Sequence, residues 1–233
     1  MYTLYIGNKN YSSWSLRAWI LLKQLGIAFE ERLVPFGEPG FPPFASFSPT
    51  GKVPCLHDGT DRIWDSLAIA EYLADRHAGV WPTDPKARAW ARCAAAEMHS
   101  GFPVLRDICS MNCGIRVDLN TVGPVLQKEL DRIDALWTEG LRRFGGPFLA
   151  GPTFTAVDAF YSPMALRFLT YGLELPPPAG DYLKHLLALD GMREWYAQAL
   201  CEPWRDAPHE DDVPRVGRMY RDLRTGKPLV NAA

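Results

Sequence analysis

The chain is 233 residues long, 47% hydrophobic and 22% charged, with a formal net charge of −2. That length suits one large domain or two small ones, and the composition is that of an ordinary globular protein. The near-neutral balance leaves no electrostatic footprint for nucleic acid and no polybasic signal for a membrane surface. No apolar run approaches the length of a membrane span, and the N-terminus lacks the charged-then-apolar pattern of a secretory leader. Five cysteines (Cys55, Cys93, Cys109, Cys113 and Cys201) are scattered and odd in number. They argue against a disulfide scaffold and for a reducing, cytoplasmic setting.

In chain order, the short apolar run Tyr2–Ile6 predicts a strand. Tyr11-Ser12-Ser13-Trp14-Ser15-Leu16-Arg17 follows and leads into an apolar-periodic run with Ala18, Leu21, Leu22 and Leu25 on one face. The pattern predicts a hydroxyl-rich turn and a helix over residues 13–25, ended by Gly26. Serines at such a start lie where backbone N–H groups and the positive end of the helix dipole are unpaired, ready for an anion. Residues 28–34 predict a second strand, and residues 35–51 a loop dense in Pro, Gly and Phe. Residues 53–57 and 62–64 flank Asp58-Gly59 and predict a hairpin. Asp65-Ser66 opens a helix through Ile69, Tyr72 and Leu73.

After Trp81-Pro82-Thr83-Asp84-Pro85 strand signals stop, and this Pro-rich bridge reads as a domain boundary. Residues 86 to about 109 predict one long helix. Residues 122–141 predict another, with Val122, Leu126, Leu130, Ile133 and Trp137 at helical spacing. Thr155-Ala156-Val157-Asp158 has the form of a capping box with Asp in place of Glu. Met192, Trp195, Tyr196 and Ala199 mark a last helix, and the charged tail after Pro203 is expected to run extended or partly disordered over the surface. The resulting division is 1–80, 85–202 and a tail at 203–233.

A small α/β unit followed by an all-helical unit, with serines opening the first helix, resembles the glutathione S-transferase superfamily. Ser12-Ser13-Trp14-Ser15-Leu16-Arg17 is similar to the Ser-Ser-Cys-Ser-x-Arg signature of the zeta class, with Trp14 in the place of the cysteine. Gly51-Lys52-Val53-Pro54 resembles the turn of the glutathione site, whose proline is cis in the family. Asp65-Ser66-Leu67-Ala68-Ile69 resembles the Glu/Gln-Ser-x-Ala-Ile element, Thr155 to Pro163 the capping motif of the second domain, and Trp195 a tryptophan of the last helix. The resemblance implies a thioredoxin-like N-terminal domain, with a mixed four-stranded sheet and helices, followed by an all-helical C-terminal domain. It also implies glutathione as cosubstrate, a small-molecule electrophile, and a homodimer.

The chemistry follows from the thiol. Its free pKa lies near the cysteine value of about 8.5, and the thiolate is the nucleophile. A depression of about two units takes roughly 2.7 kcal/mol. One hydroxyl bonded to the anion contributes about 1.5–3 kcal/mol and a helix N-terminus up to about 2, so no metal is required. By alignment with the family Ser12 is the expected donor to sulfur; Ser13 stands one residue away and Tyr11 is a third candidate. The competing reading makes both serines plain helix caps. The resemblance implies that the Val53-Pro54 backbone faces the cysteinyl part of glutathione; by charge and helix position Asp65 and Ser66 suit its γ-glutamyl end, and Lys52 either pairs with the glycine carboxylate or stands solvated. Tyr11, Trp14, Met98, Phe102, Arg106 and Cys109 are expected to wall the electrophile side, and Arg17 to hold the fold or the dimer.

Other signals carry less. Cys109 and Cys113 have helical spacing without a completed metal-ligand pattern, and the five histidines form no triad with serine. Thioredoxin-like redox enzymes carry Cys-x-x-Cys where this chain has Ser12 and Ser15, so disulfide exchange by that route is excluded. Three functions compete: thiolate addition or substitution at a small apolar electrophile, a zeta-like glutathione-dependent cis–trans isomerase using Arg17, Arg106 or Arg116 for carboxylates, and a non-catalytic binding protein on the same fold.

Overall fold

A computed structural model describes residues 1–225. Residues 226–233, the end of the expected tail, lie outside the described residues. The first half runs β1 (Tyr2–Ile6), α1 (Ser13–Gln24), β2 (Phe29–Leu33), a single 3-10 turn at Phe44–Ser46, β3 (Cys55–Asp58), β4 (Asp61–Trp64) and α2 (Ser66–Ala74). The second runs α3 (Pro85–Ser100), α4 (Pro103–Ile108), β5 (Ile115–Leu119), α5 (Pro124–Phe144), α6 (Ala156–Tyr171), α7 (Ala179–Ala188), α8 (Asp190–Cys201), α9 (Ala207–Val216) and β6 (Gly217–Asp222).

The four N-terminal strands form a mixed sheet in the order β2-β1-β3-β4. β1 is parallel to β2, with Leu4 opposite Glu31, because α1 supplies the crossover that a parallel pair needs. β3 runs antiparallel to both β1 and β4, closed by the expected Asp58-Gly59 turn. β1 is central, and Leu4 and Ile6 are fully buried. On one face they join Leu16, Trp19 and Ile20 of α1 and a core that continues into α6 and α8. On the other face a smaller cluster of Val34, Phe47 and Cys55, with the Tyr5 ring stacked on Phe47 at 4.4 Å, seats the 35–51 loop.

α6 is the central column of the second half, and all but one of its sixteen residues are buried. A helix buried all round loses the one-sided pattern. Its start is held as the sequence predicts: the Asp158 carboxylate accepts from Thr155 N (2.9 Å), Leu149 N (3.0 Å) and the Tyr182 hydroxyl (2.9 Å).

Two expectations require correction, the unbroken helix at 86–109 and the loose tail. The long helix at 86–109 is broken into α3 and α4, because Pro103 disfavours helical geometry at the preceding residue and Phe102 turns left-handed with φ 58°. The Glu129 carboxylate of α5 then accepts from Val104 N and Leu105 N at 3.2 and 2.7 Å and restarts the helix. The second half is the expected helical region, to which β5 and β6 add one antiparallel pair with a bulge at Arg116/Val117. Within the described residues the segment after Pro203 is ordered rather than loosely laid over the surface: it folds as α9 and β6, and β6 pairs with β5 about a hundred residues earlier.

Candidate active site

The loop from β1 to α1 is the foundation of the site, and its polar residues are buried: Asn8, Lys9 and Asn10 are each at most 2% exposed. Buried backbone N–H groups need acceptors. Here Glu202, at the end of α8, takes Lys9 N (2.7 Å) and Asn10 N (3.1 Å). Lys9 Nζ pairs with Glu31 at 2.7 Å, and the Trp195 indole donates to Lys9 O at 2.9 Å. Asn10 bridges to Asn112 and Gly114. Burial pushes the Glu202 carboxyl up to about 7. None of Asn8, Lys9, Asn10 or Glu202 is among the residues expected from sequence; the only signal is an unbroken polar run between a strand and a helix.

Ser12 caps α1. Its oxygen accepts from Ser15 N at 3.3 Å and its proton goes to Ser15 Oγ at 2.7 Å, while Ser15 Oγ accepts from Gly7 N at 3.1 Å. A Cβ on Gly7 would lie 2.7 Å from the Phe36 ring, which would have to shift to admit it. Ser13, the first helical residue, differs. Its Oγ accepts from Arg167 Nη2 at 3.3 Å, and its own proton has no acceptor among the described residues. The two candidate hydroxyls therefore play different parts. Tyr11 is 2% exposed, and its hydroxyl donates to Glu210 at 2.6 Å. Burial, with that hydrogen bond second, holds the phenol well above its ordinary range. The expected third donor is committed elsewhere.

Two adjoining cavities open from this helix start and share Trp14, Lys52 and Val53. The first, of about 450 Å³, is bounded also by Thr50, Pro54, Trp64, Asp65 and Ser66. The Val53-Pro54 bond is cis, and neither the N–H nor the C=O of Val53 has a partner among the described residues. Ser66 is 2% exposed with its Oγ unpartnered. It sits at the first position of α2, where free N–H groups and the helix dipole favour an anion. Asp65 caps that helix through Leu67 N at 2.8 Å and lies 3.4 Å from His99 Nε2 with its other oxygen. Its φ of 73° is strained backbone for a residue with a Cβ, a conformation that costs of order 1–3 kcal/mol and clusters at functional sites.

The second cavity, of about 520 Å³, lies against the helical half, with Tyr11, Ser12, Ser13, Phe36, Phe44, Arg106, Ser110, Met111, Arg167 and His209 on its walls. Of the expected walls, Trp14, Tyr11 and Arg106 are present. Met98, Phe102 and Cys109 are instead buried in the core, and burial pushes the Cys109 thiol up to about 12. Arg116 does not line it and is spent on Tyr196 at 2.9 Å. Arg17, expected to hold the fold or a dimer, is 1% exposed and stacks under the Trp14 ring at 4.2 Å. α9 closes the far side, with His209 5.1 Å from the Tyr11 ring and 2.5 Å from Asp206.

Comparison with known proteins fits this architecture. A family profile, the N-terminal domain of glutathione S-transferase, matches residues 11–76. The zeta-class glutathione S-transferase of Euphorbia esula is 31% identical over 164 residues, 68% of this chain and 73% of that protein. A probable maleylacetoacetate isomerase of Caenorhabditis elegans is 26% identical over 190 residues, 79% of this chain and 87% of that protein. A glutathione transferase homolog from Burkholderia, solved with bound glutathione, superposes with a TM-score of 0.62 at 26% identity, over 85% of this chain and 97% of that one. With its mixed four-stranded sheet, its helical second half and a relative matching across more than two-thirds of both sequences, this chain belongs to the glutathione S-transferase family.

Proposed function

We propose that the protein is a glutathione transferase, with residues 1–80 binding the tripeptide and residues 85–202, together with α9, shaping the electrophile pocket. The observation that carries this reading is a row of unspent polar groups along one cleft. The buried Ser66 Oγ has no partner, and it stands at a helix start with Asp65 beside it. Together they suit the carboxylate and ammonium of the γ-glutamyl end. The free Val53 N–H and C=O suit strand-like pairing with the cysteinyl residue. Lys52 has no ion-pair partner among the described residues and suits the glycine carboxylate.

The sulfur then falls at the start of α1. We read Ser13, rather than Ser12, as the hydroxyl that holds the thiolate, because only Ser13 has a proton to give. The thiol proton leaves to solvent, and the sulfur lone pair attacks an electrophile in the second cavity. In substitution a leaving group departs with the bond electrons; in addition the product carbanion takes a proton. Phe36, Phe44 and Met111 favour an apolar body, and Asp107 and Asp212, which also border that cavity, disfavour a dianion. A zeta-like isomerase remains the second reading on one observation, the presence of Arg106 and Arg167 in the same cavity. We also read the protein as a cytoplasmic homodimer acting in detoxification; its five free cysteines suit a reducing compartment.

The test is ultraviolet difference absorption of bound glutathione at neutral pH, with retention on immobilised glutathione. A thiolate band together with retention is expected. Absence of both would remove the catalytic reading and leave a binding protein of the same fold.

A further inference from the structure

Three arginines converge beneath the first turn of α1, and their hydrogen bonds run only to carbonyls and one hydroxyl. Arg17 is buried between the Trp14 ring at 4.2 Å and the Phe160 ring at 5.0 Å. Its Nε and Nη1 have no partner, and Nη2 lies a long 3.4 Å from Met98 O. Arg167, 5% exposed, has an unpartnered Nε and places Nη2 on Ser13. Arg106 holds Gly101 O at 2.9 Å and lies 4.9 Å from the Trp14 ring. No carboxylate of the described residues pairs with any of them at ion-pair distance. Burial lowers the pKa of all three; mutual repulsion adds to this for Arg17 and Arg167, while Asp65 opposes it for Arg17 and Glu129 for Arg106 through space.

Buried guanidinium groups without a counter-ion are costly, and removing the partner from a buried pair destabilises strongly. A cluster of them persists when a ligand brings the missing charge. The remaining charges locate that ligand. Around the second cavity Asp107 and Asp212 share Arg215, Glu210 is paired with Arg224, and His209 with Asp206. In the first cavity Asp65 lies 3.4 Å from His99, which burial holds toward its neutral form, and its charge reaches Arg17 only through space; Lys52, on the same cavity, has no ion-pair partner among the described residues. The three guanidinium groups without a carboxylate at ion-pair distance thus gather against Ser13 and Trp14, where the two cavities meet.

Resting on the reading above, we propose that Arg17, Arg106 and Arg167 form the counter-charge for the glutathione sulfur, ionising it through space, with Arg167 also aiming the Ser13 hydroxyl into the cleft. Arg17 and Arg106 act by field alone and Arg167 is a positioning residue. The protein carries unpaired positive charge when empty in order to hold an anion at one atom. Charges of this kind are worth more in a low-dielectric cleft than in water.

The test follows the apparent pKa of bound glutathione by thiolate absorption across pH, in wild type and in Arg17→Met, Arg17→Lys, Arg167→Gln and Arg167→Lys. The two neutral variants are expected to raise the bound-thiol pKa by about one unit each, and the lysine variants to restore most of it. Arg17→Met, which removes an unpaired buried charge, is expected to keep or raise the denaturation midpoint of the unliganded protein. A purely structural arginine would lower that midpoint and leave the thiol unmoved. A second measurement uses wild type alone: at acid pH the sulfonate analogue of glutathione should bind about tenfold tighter than S-methylglutathione. Folded variants that retain glutathione with an unchanged thiol pKa, or a sulfonate that binds no better than the thioether, overturn the proposal. A wild type with no thiolate at neutral pH defeats the transferase reading instead, so the two failures are distinguishable.

Discussion

Ser12 and Ser13 differ by one position and by everything around their hydroxyls, so replacing each with alanine separates two roles. Of the two serines that line the second cavity, Ser13→Ala removes the one whose proton is uncommitted. A hydrogen bond to a charged acceptor contributes about 1.5–3 kcal/mol, which at about 1.36 kcal/mol per unit raises the bound-thiol pKa by roughly one to two units. Conjugation below that pKa should then slow by about 10- to 100-fold. Ser12→Ala instead removes the cap that takes Ser15 N at 3.3 Å, and it releases Ser15 Oγ from its second partner. It should cost about 0.5–2 kcal/mol of unfolding free energy, while moving the thiol pKa by less than about 0.5 unit. The assay pairs thiolate absorption against pH with urea unfolding for both variants. A thiol pKa that rises in Ser12→Ala and holds in Ser13→Ala would refute the reasoning.

Three further outcomes are expected. Tyr11→Phe should leave the bound-thiol pKa within about 0.3 unit, because the hydroxyl is spent on Glu210, which keeps Arg224 and Asn112; a large rise would return Tyr11 to the list of donors. Asp158→Ala strips four buried donors of their acceptor and should cost about 3–5 kcal/mol in urea unfolding; a loss under about 1 kcal/mol would contradict the burial argument. Glu202 has a folded pKa raised by burial to about 7, against 4.5. A raised carboxyl favours the folded state below its unfolded value, and that contribution is lost as pH rises through 7. Relative to Glu202→Gln, wild type should therefore gain stability on going from pH 8 to pH 5, as read by denaturant midpoints; a parallel pH dependence in the two proteins would refute it.

What the amino-acid order determined by itself is local. The strand–helix–strand start, the Asp58-Gly59 hairpin, the helix start at Asp65-Ser66 and the Thr155–Asp158 cap each rest on groups within a few residues of one another. Turn chemistry, capping and the period of apolar residues encode these directly. The run Ser12-Ser13 was likewise legible as an anion-favouring helix start, but not which serine is free. That was decided by Arg167, 154 residues away, and the commitment of Tyr11 by Glu210, 199 residues away. The pairing of β5 with β6 was hidden for the same reason: a five-residue strand shows little until a partner lies beside it. Long-range packing alone gathered three arginines under one helical turn, because burial is set by apolar faces spread along the whole chain, while charge acts across whatever space that packing leaves.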